Sequence, residues 1–311
     1  MPADPLPSWN EGAAKARLLD FVKRVTEHET ADFVPPSDRI AVFDNDGTLW
    51  PEQPNCIQFL FVADRLKSLA RMNQALRRTE PFRTVVDGGL DGLATLDEKE
   101  IFEIIKTTQS GMSTERFSDI VAGWLRAAKD PRFGCAYTDL AYQPMLELLD
   151  YLRANAFKSF IVSGAGADFI RVFAEETYRI PSEQVIGSTT VTDFRLGATG
   201  PVLMKIPQLE VLQDGAGKPV AIDRFIGRRP IFAFGNSDGD AEMLQWTAAC
   251  RGARFVGLLH HTDAEREWSY DRDSKVGRLD KALDLADAND WTVVDMKNDW
   301  KIVFPNDNDS R

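Results

Sequence analysis

Two kinds of apolar pattern alternate along the chain. The first is a short, almost continuous apolar run, of the length expected for a strand that is buried on both faces. Such runs are "RIAVFD" (39–44), "FKSFIVSG" (157–164), "RPIFAFG" (229–235), "ARFVGLLHH" (253–261) and "WTVVDM" (291–296). The second is a longer segment with apolar residues at helical spacing. Because strands that alternate with helices form mostly parallel sheets, the chain is predicted to adopt an α/β fold.

Helical spacing dominates residues 52–137 and several segments outside that range. Within it, the predicted helices are "IQFLFVADRLKSLA", "DEKEIFEIIKTTQ" and "STERFSDIVAGWLRAA". Elsewhere they are residues 8–28, "YQPMLELLDYLRANA", "ADFIRVFAEETY", a short helix from Asp240 and a helix near 279–287. In "SWNE", Ser8 and Glu11 fit a capping box at the start of the first helix. Residues 187–206 are predicted to form a polar hairpin that turns at "GATG".

These patterns divide the chain into a core and an insertion. A chain of 311 residues, of which 43% are hydrophobic, is long enough for a core domain and a smaller second one. We predict an α/β core formed by residues 1–51 and 138–311, in which residues 1–38 are an N-terminal helical extension. Residues 52–137 are predicted to form a mainly helical insertion between the first two strands.

Charge and composition narrow the functional classes. The formal net charge of -11 argues against nucleic-acid binding, because phosphate backbones are held by clustered Lys and Arg. No window approaches the roughly 18 uninterrupted apolar residues of a membrane span, so no membrane partner is predicted. No secretory signal is visible, and Cys56, Cys135 and Cys250 are too far apart in sequence to indicate a disulfide framework or a zinc site. These features favour a cytoplasmic protein.

Three of the predicted strands end in groups that can do chemistry. Asp44 and Asp46 end the first strand, Ser163 ends the second, and the polar segment 236–240 follows the third. In parallel sheets, ligands gather at the carboxyl ends of the strands. We therefore expect these groups to meet at one edge of the sheet.

The pair Asp44 and Asp46 has the chemistry needed for phosphoryl transfer. A carboxylate on a rigid strand end can attack phosphorus and form an aspartyl-phosphate. A second acid two residues later can protonate the leaving oxygen and then activate water. Mg²⁺ prefers hard oxygen ligands and would offset the repulsion between two carboxylates that are so close. The end of this strand therefore indicates a magnesium-dependent reaction at phosphorus.

The segment "FDNDGTL" resembles the first motif, D-x-D-G-T-[LV], of the haloacid dehalogenase superfamily of phosphohydrolases. The resemblance implies that Asp44 is the nucleophile. It also implies that Asp46 is the general acid and base, and that its backbone carbonyl binds Mg²⁺. The segment "IVSGAG" is similar to the second motif, which implies that the Ser163 hydroxyl and the Gly164 N–H bind phosphoryl oxygens. Free N–H groups before a helix also suit an anion on physical grounds.

A lysine and an acidic loop complete the resemblance. Lys218 in "DGAGKPVAIDRFIG" fits the third motif, and Lys205 is the weaker candidate. The segment "FAFGNSDGDAEML" is similar to the fourth motif, G-D-x-x-x-D. The implied Mg²⁺ ligands are Asp44, Asp46, Asn236 and Asp240. Asn236 stands where the first Asp of this motif is usual, so one ligand is uncharged, and Asp238 is a candidate for supplying the missing charge.

The resemblance covers residues 39 to about 245, with its motifs in the family's order. It implies a Rossmann-like core, and it places the insertion 52–137 where the family has a C1 cap that selects substrates. The hairpin before the lysine is similar to the phosphoserine-phosphatase-like branch. The function implied is a Mg²⁺-dependent phosphohydrolase, a phosphomonoesterase acting on a small phosphorylated metabolite.

Two other functions stay open. A catalytically weak protein of this fold would bind a phosphorylated ligand without turnover, which the neutral Asn236 allows. The segment "GNSDG" also fits the G-x-S-x-G pattern of a serine hydrolase, with Ser237 as the nucleophile. Such an enzyme needs a histidine well downstream, and the last histidine, His261, follows too closely. Within the insertion, Gln53, Arg65 and Arg116 are candidate substrate contacts, although ordinary exposed polarity of a helix is the better explanation for each. The sequence assigns no definite role to His260 and His261.

Overall fold

A central, mostly parallel sheet organises the molecule. The computed structural model describes residues 3–197 and 200–305 of the chain. Its strands are β1 (Ile40–Phe43), β2 (Lys158–Gly166), β3 (Val185–Gly197), β4 (Gly200–Val211), β5 (Phe232–Gly235), β6 (Phe255–Thr262), β7 (Ser269–Tyr270) and β8 (Thr292–Asp295). They form an eight-stranded sheet in the order β4-β3-β2-β1-β5-β6-β7, and β8 pairs with β6. Strands β4 and β7 run antiparallel to β3 and β6, and the other pairs are parallel. The predicted α/β fold is confirmed.

Strand β1 lies at the centre of this sheet. It is buried along its whole length and pairs with β2 on one side and β5 on the other. Phe43, its last residue, lies beside Ile161 of β2 and Phe234 of β5. Because the three strands are parallel, the residues that follow these positions leave the sheet on the same side. We call this side, formed by residues 44–48, 163–166 and 235–240, the carboxyl edge.

Helices cover both faces of the sheet. The helices of the described residues are α1 (Ala13–Thr26), α2 (Ile57–Met72), α3 (Phe82–Leu93), α4 (Glu98–Gln109), α5 (Thr114–Ala127), α6 (Gln143–Ala154), α7 (Ala167–Ile170), α8 (Ala174–Tyr178), α9 (Gly217–Ile226), α10 (Ala241–Ala248), α11 (Lys281–Ala288) and α12 (Met296–Asp299). Ala41 and Phe43 of β1 belong to an apolar layer with α1 and α6. Ile40 and Val42 belong to a second layer with α9, α10 and α11. Since both faces are covered, the strand sequence is apolar at every position.

Helices α2 to α5 lie within the segment 52–137, which was predicted to be a helical insertion. Phe61 of α2 is buried, and its ring centroid lies 6.0 Å from that of Phe117 in α5. On the other side it lies 5.5 Å from the ring of Phe169 in α7, which follows the carboxyl end of β2. The loop between α4 and α5 also exchanges backbone hydrogen bonds with Lys205 of β4. Aromatic packing and a short backbone pairing therefore join these helices to the sheet.

The first helix does not begin as predicted. Helix α1 starts at Ala13, after Gly12, and no side chain caps it. The backbone N–H and the hydroxyl of Ser8 instead donate to the carboxylate of Glu147 in α6, over 2.9 and 2.6 Å. Glu11 accepts from Lys15 over 2.6 Å. The predicted capping box was wrong because both of its members have stronger, charged partners elsewhere.

Other elements differ from the predicted pattern in detail. Helix α3 was not predicted; its sequence, "FRTVVDGGLDGL", contains glycines that are unfavourable in helices. The single helix predicted at "ADFIRVFAEETY" is divided into α7 and α8, which are joined by tighter turns in which Val172 and Phe173 donate three residues back. The hairpin of β3 and β4 is longer than predicted, and residues 198 and 199 of its predicted turn lie outside the described residues.

The cysteines and the length of the apolar helices can be compared with what the composition indicated. The sulfur atoms of Cys56, Cys135 and Cys250 form no disulfide, and all three side chains are half-buried. In the part of the chain that the structure describes, no helix combines the length and the apolar character needed to cross a bilayer.

Candidate active site

Asp44 is the first residue after β1 and the centre of the carboxyl edge. Its backbone N–H donates to the carbonyl of Phe234 in β5 over 3.0 Å, which continues the sheet pairing by one residue. Its carboxylate is buried, and Oδ1 accepts a hydrogen bond from Lys218 Nζ over 2.6 Å. Burial raises the pKa of Asp44 well above its usual value, the charge of Asp240 adds to this, and Lys218 opposes it. A carboxylate in this state needs positive charge nearby to stay ionised.

Lys218 supplies part of that charge from the first turn of α9. The side chain is buried, and Nζ donates to Asp44 Oδ1 over 2.6 Å and to Asp240 Oδ1 over 2.5 Å. Burial alone would lower the pKa of Lys218, but the charges of Asp240 and Asp44 raise it above its ordinary value. The ammonium group therefore stays charged at neutral pH, and it links Asp44 at the end of β1 to the loop that follows β5.

Lys205, the weaker sequence candidate, lies elsewhere. Its buried ammonium group pairs with Asp168 of α7 and lies 4.8 Å from the ring centre of Phe117 in α5. These partners belong to the junction between the hairpin and the inserted helices. Of the two lysines, Lys218 is the one that contacts Asp44.

The loop after β5 is held by Asp240. Its Oδ2 accepts hydrogen bonds from the backbone N–H groups of Asn236 and Ser237, each over 3.0 Å, and from the Ser237 hydroxyl over 3.2 Å. Since Oδ1 accepts from Lys218, both oxygens of this fully buried carboxylate are engaged. Asp238 is used differently: its Oδ1 accepts the N–H groups of Asp280 and Ala282 at the start of α11, over 3.0 and 2.9 Å.

Asn236 lies beneath the loop that follows β1. Its side chain is buried, and Oδ1 accepts from the hydroxyl of Thr48 over 3.0 Å. Its Nδ2 donates to Glu52 Oε1 over 2.6 Å. Glu52 was not predicted as a site residue, although it follows Asp44 closely in the segment "GTLWPEQP". Burial raises the pKa of Glu52 well above its usual value, and the charges of Asp44 and Asp46 add to that effect.

Asp46 is half-buried and is oriented by an indole. Its Oδ1 accepts from Trp50 Nε1 over 2.8 Å, and the backbone N–H of Gly47 donates to the Trp50 carbonyl over the same distance. The Trp50 ring is fully buried and stacks on Phe173 with centroids 4.4 Å apart. Burial raises the pKa of Asp46, and the hydrogen bond from Trp50 opposes it. A raised pKa suits a group that must hold a proton before it gives one away.

Ser163 and Gly164 lie at the end of β2. Ser163 is buried, and its Oγ accepts from the backbone N–H of Ala165 over 3.1 Å. The register of β1 and β2 pairs Phe43 with Ile161, so the second strand carries Ser163 to about the level of Asp44. The side chain of Gln58 in α2 reaches this strand end, where its Oε1 accepts from the N–H of Gly166 over 2.8 Å.

The neighbouring histidines have separate surroundings. His261 is buried; its Nε2 lies 2.7 Å from the Gly47 carbonyl and its Nδ1 lies 3.0 Å from Glu267 Oε2. Because a carbonyl oxygen only accepts, Nε2 carries the proton in that contact. His260 lies 3.4 Å from Asp271 instead. His261 therefore supports the turn after Asp46, a function that its place at the end of β6 could have suggested.

The geometry around Ser237 does not favour a serine hydrolase. The hydroxyl donates to Asp240, and the residue is in an extended conformation, with φ of -139°, rather than a strained turn. Of the histidines, His261 contacts Gly47 and Glu267, His260 contacts Asp271, and His28 stacks on Phe33. Within the described residues, none of them is hydrogen-bonded to Ser237.

The donor atoms at the carboxyl edge fit Mg²⁺. Four carboxyl groups lie at or beside this edge: those of Asp44 and Asp240 are buried and bonded to Lys218, that of Glu52 is buried and bonded to Asn236, and that of Asp46 is half-buried. In residues 3–197 and 200–305, no three His, Cys, Asp or Glu side chains are grouped so that they could hold a metal ion by themselves. The implied ligands, however, include an amide and a main-chain carbonyl as well as carboxylate oxygen. This mixed set of hard oxygens is of the kind that Mg²⁺ accepts.

Comparison with known proteins bears on this arrangement. A search of curated proteins found no match. Among solved structures, a conserved functionally unknown protein from Anaerococcus prevotii DSM 20548 is similar, with 14% identity, coverage of 84% of this chain and 89% of that chain, and a TM-score of 0.57. A protein with unknown function from Bordetella pertussis Tohama I has 15% identity, coverage of 83% and 99%, and a TM-score of 0.52. A phosphoserine phosphohydrolase-like protein from Francisella tularensis subsp. tularensis SCHU S4 has 19% identity, coverage of 71% and 87%, and a TM-score of 0.38.

The first two of these structures share the fold of this chain. The family of haloacid dehalogenase-like hydrolases matches residues 41–245, which is more than half of the chain. That range begins in β1 and ends in α10, so it includes Asp44, Ser163, Lys218 and the loop 236–240. The chain belongs to the haloacid dehalogenase-like hydrolase family.

Proposed function

We propose that this protein is a Mg²⁺-dependent phosphomonoesterase that acts on a small phosphorylated metabolite. The observation that carries the proposal is the buried chain of contacts from Asp44 through Lys218 to Asp240, at the carboxyl ends of adjacent parallel strands. Such an arrangement holds a nucleophilic carboxylate rigidly and keeps a positive charge beside the position of the transferred group.

Asp44 is the proposed nucleophile. Lys218 binds Oδ1, and we assign the attack on phosphorus to Oδ2. The bond from phosphorus to the ester oxygen breaks as the bond to Asp44 forms, and Asp46 gives its proton to the departing alcohol. Water then attacks the aspartyl-phosphate, Asp46 takes a proton from it, and inorganic phosphate leaves with the carboxylate of Asp44 restored.

The remaining residues of the carboxyl edge bind and neutralise the phosphoryl group. We assign its oxygens to the Ser163 hydroxyl, the Gly164 N–H and the ammonium group of Lys218. The Asp44 carboxylate, the Asp46 carbonyl and the Asn236 carboxamide would hold Mg²⁺, and the ion would polarise a phosphoryl oxygen and offset the carboxylate charges. Asp240 was also a predicted ligand; its Oδ2 holds the loop, while its Oδ1 accepts only from Lys218 and would have a lone pair left for Mg²⁺.

The helices α2 to α5 are proposed to be a cap that selects the substrate. The contact between Gln58 of α2 and Gly166 of β2 supports this, since it brings an inserted helix to the strand end that carries Ser163. Of the residues considered as substrate contacts, Gln53 donates to Ser274 and to the Val276 carbonyl, so its amide holds a core loop. Arg65 is half-buried in α2. Burial lowers the pKa of Arg65, and the charge of Arg116 in α5 adds to that effect.

Phosphate release from p-nitrophenyl phosphate and from a panel of phosphorylated metabolites, with Mg²⁺ or with EDTA, tests the proposal. We expect turnover with Mg²⁺ and none with EDTA. Saturable binding of phosphorylated compounds without turnover would instead identify a binding protein. Hydrolysis that resists EDTA and is stopped by a serine-directed phosphonate would identify a serine hydrolase.

Trp50→Phe should lower kcat about tenfold, because the hydrogen bond that orients Asp46 is lost while the stacking on Phe173 is kept. Steady-state kinetics with p-nitrophenyl phosphate measures the effect. Trp124→Phe is the matched control, since it also removes an indole N–H that donates to a carboxylate, that of Asp64, but in the inserted helices. Equal losses of kcat in the two variants would contradict the role given to Trp50.

Gly235→Ala should lower kcat/KM about 100-fold, because a misplacement of even 1 Å at a reacting centre is costly. A Cβ at this position would lie 2.6 Å from Cβ and Cγ of Asp240, so the loop 236–240 would have to move. Gly123→Ala in α5 is the control, since a Cβ there meets nothing within 4 Å. Normal kinetics for Gly235→Ala would show that the position of this loop does not matter.

A further inference from the structure

Glu52 is one of the few acidic side chains that are buried in the protein. It is 5% exposed, and its Oε1 accepts from Asn236 Nδ2 over 2.6 Å and from the Tyr270 hydroxyl over 2.9 Å. A Cβ on Gly47 would lie 2.4 Å from the same oxygen, and one on Gly277 would lie 1.8 Å from it. Both glycines have positive φ, 78° and 64°. The carboxylate therefore fits only because neither of these two neighbouring residues has a side chain.

The contact with Glu52 decides which way the amide of Asn236 faces. A carboxylate oxygen accepts hydrogen bonds, so the amide atom at 2.6 Å from Glu52 is the NH₂ group. The amide oxygen is then turned toward Thr48, whose hydroxyl donates to it over 3.0 Å. An amide oxygen has two lone pairs, and the bond from Thr48 uses one of them. A cation could bind the other.

A cation bound at this site would favour the ionised form of Glu52. The same contact would then place a negative charge one hydrogen bond away from a neutral donor. Asn236 and Glu52 together form a buried pair, one amide and one carboxylate, in which the charge is carried by residue 52. Partners of metal-binding side chains commonly fix the orientation of the ligand and raise its donor strength.

We propose that Glu52 is a positioning residue for the cation site: its carboxylate orients the Asn236 amide with Oδ1 available to Mg²⁺ and supplies the charge that Asn236 lacks. The inference rests on the proposed function, since it concerns the same site. It makes Glu52, rather than Asp238, the source of that charge, because Asp238 binds the start of α11.

Exchange of the two side chains is the decisive experiment. Glu52→Gln keeps an oxygen that can accept from Asn236 and Tyr270 but removes the charge. Asn236→Asp replaces the amide that lies 2.6 Å from Glu52 with a second carboxyl group. The two buried carboxylates would repel each other unless one is protonated or a cation lies between them. The double variant Glu52→Gln with Asn236→Asp restores one amide and one carboxylate, with the charge moved to residue 236. Glu176→Gln, at an exposed position in α8, is the control.

Two measurements without substrate accompany the kinetics: calorimetric titration with Mg²⁺ alone, and the Tm with and without Mg²⁺. We expect Glu52→Gln to weaken Mg²⁺ binding about tenfold or more. Asn236→Asp should lower the Tm of the metal-free protein, and Mg²⁺ should raise that Tm by more than it does in the wild type. The double variant should bind Mg²⁺ within about threefold of the wild type and regain most of kcat. Glu176→Gln should change none of these.

The outcomes separate this inference from the proposed function. Mg²⁺-dependent turnover with normal Mg²⁺ affinity in Glu52→Gln would overturn the role of Glu52 and leave the function intact. Mg²⁺ binding that follows the expected order in a protein with no phosphatase activity would support Glu52 and overturn the function. No Mg²⁺ binding by the wild type would overturn both. If Asn236→Asp does not fold, Glu52→Gln and its Mg²⁺ affinity decide alone.

Discussion

Asp44→Asn is expected to lower kcat for p-nitrophenyl phosphate by at least about a thousandfold, roughly 4 kcal/mol in the activation barrier. An amide cannot form the aspartyl-phosphate, and the positively charged surroundings provided by Lys218 cannot replace the missing nucleophile. The change is nearly isosteric, so the fold should persist, with Lys218 still bound to Asp240. Steady-state kinetics and circular dichroism measure the two effects.

Asp193→Asn is a suitable control for this variant. Asp193 lies on the exposed hairpin strand β3, where it pairs with Arg195. Its loss should leave kcat within about twofold of the wild type, because exposed ion pairs contribute little. Near-normal, Mg²⁺-dependent turnover by Asp44→Asn would show that another group attacks phosphorus.

Lys218→Met is expected to lower kcat by at least about 100-fold and to destabilise the metal-free protein by about 3–5 kcal/mol. Removal of the ammonium group leaves the buried carboxylates of Asp44 and Asp240 close together without their common partner. The loss of charge beside the phosphoryl group should cost at least about 100-fold in kcat. Urea denaturation in EDTA measures the free energy of unfolding.

Lys205→Met separates the effect of losing a buried lysine on stability from its effect on kcat. This lysine is equally buried, but its partner Asp168 is half-buried and lies in α7, next to the inserted helices. Its loss should therefore reduce stability while kcat stays within a few fold of the wild type. A loss of kcat in Lys205→Met as large as in Lys218→Met would mean that the choice between the lysines is wrong.

The sequence alone predicted the central strands and their chemistry because both depend on local patterns. The apolar runs of β1, β2 and β5 are buried on both faces, so they are recognisable without knowing their neighbours. The polar groups that follow these runs meet because the strands are parallel and adjacent. Asp44 and the loop 236–240 were predicted on that basis, whereas Lys218 was implied by the resemblance to the haloacid dehalogenase superfamily. The structure brings all three together.

What the sequence could not predict depends on distant partners. Ser8 looks like a cap until Glu147 is placed beside it. Lys205 is as buried as Lys218, and only the fold shows that its partner is Asp168 rather than Asp44. Glu52 is an ordinary acidic residue in sequence, and it becomes part of the site through Asn236 and Tyr270, which lie near the other end of the chain.

The most direct test of the account is to identify the residue that is phosphorylated during turnover. Protein reacting with p-nitrophenyl phosphate and Mg²⁺ would be quenched in acid, treated with borohydride to reduce any acyl phosphate, digested, and analysed by mass spectrometry. The account predicts a reduced side chain at Asp44 that requires both substrate and Mg²⁺. Turnover with no modification at Asp44, or with a phosphate on Ser237 instead, would contradict it.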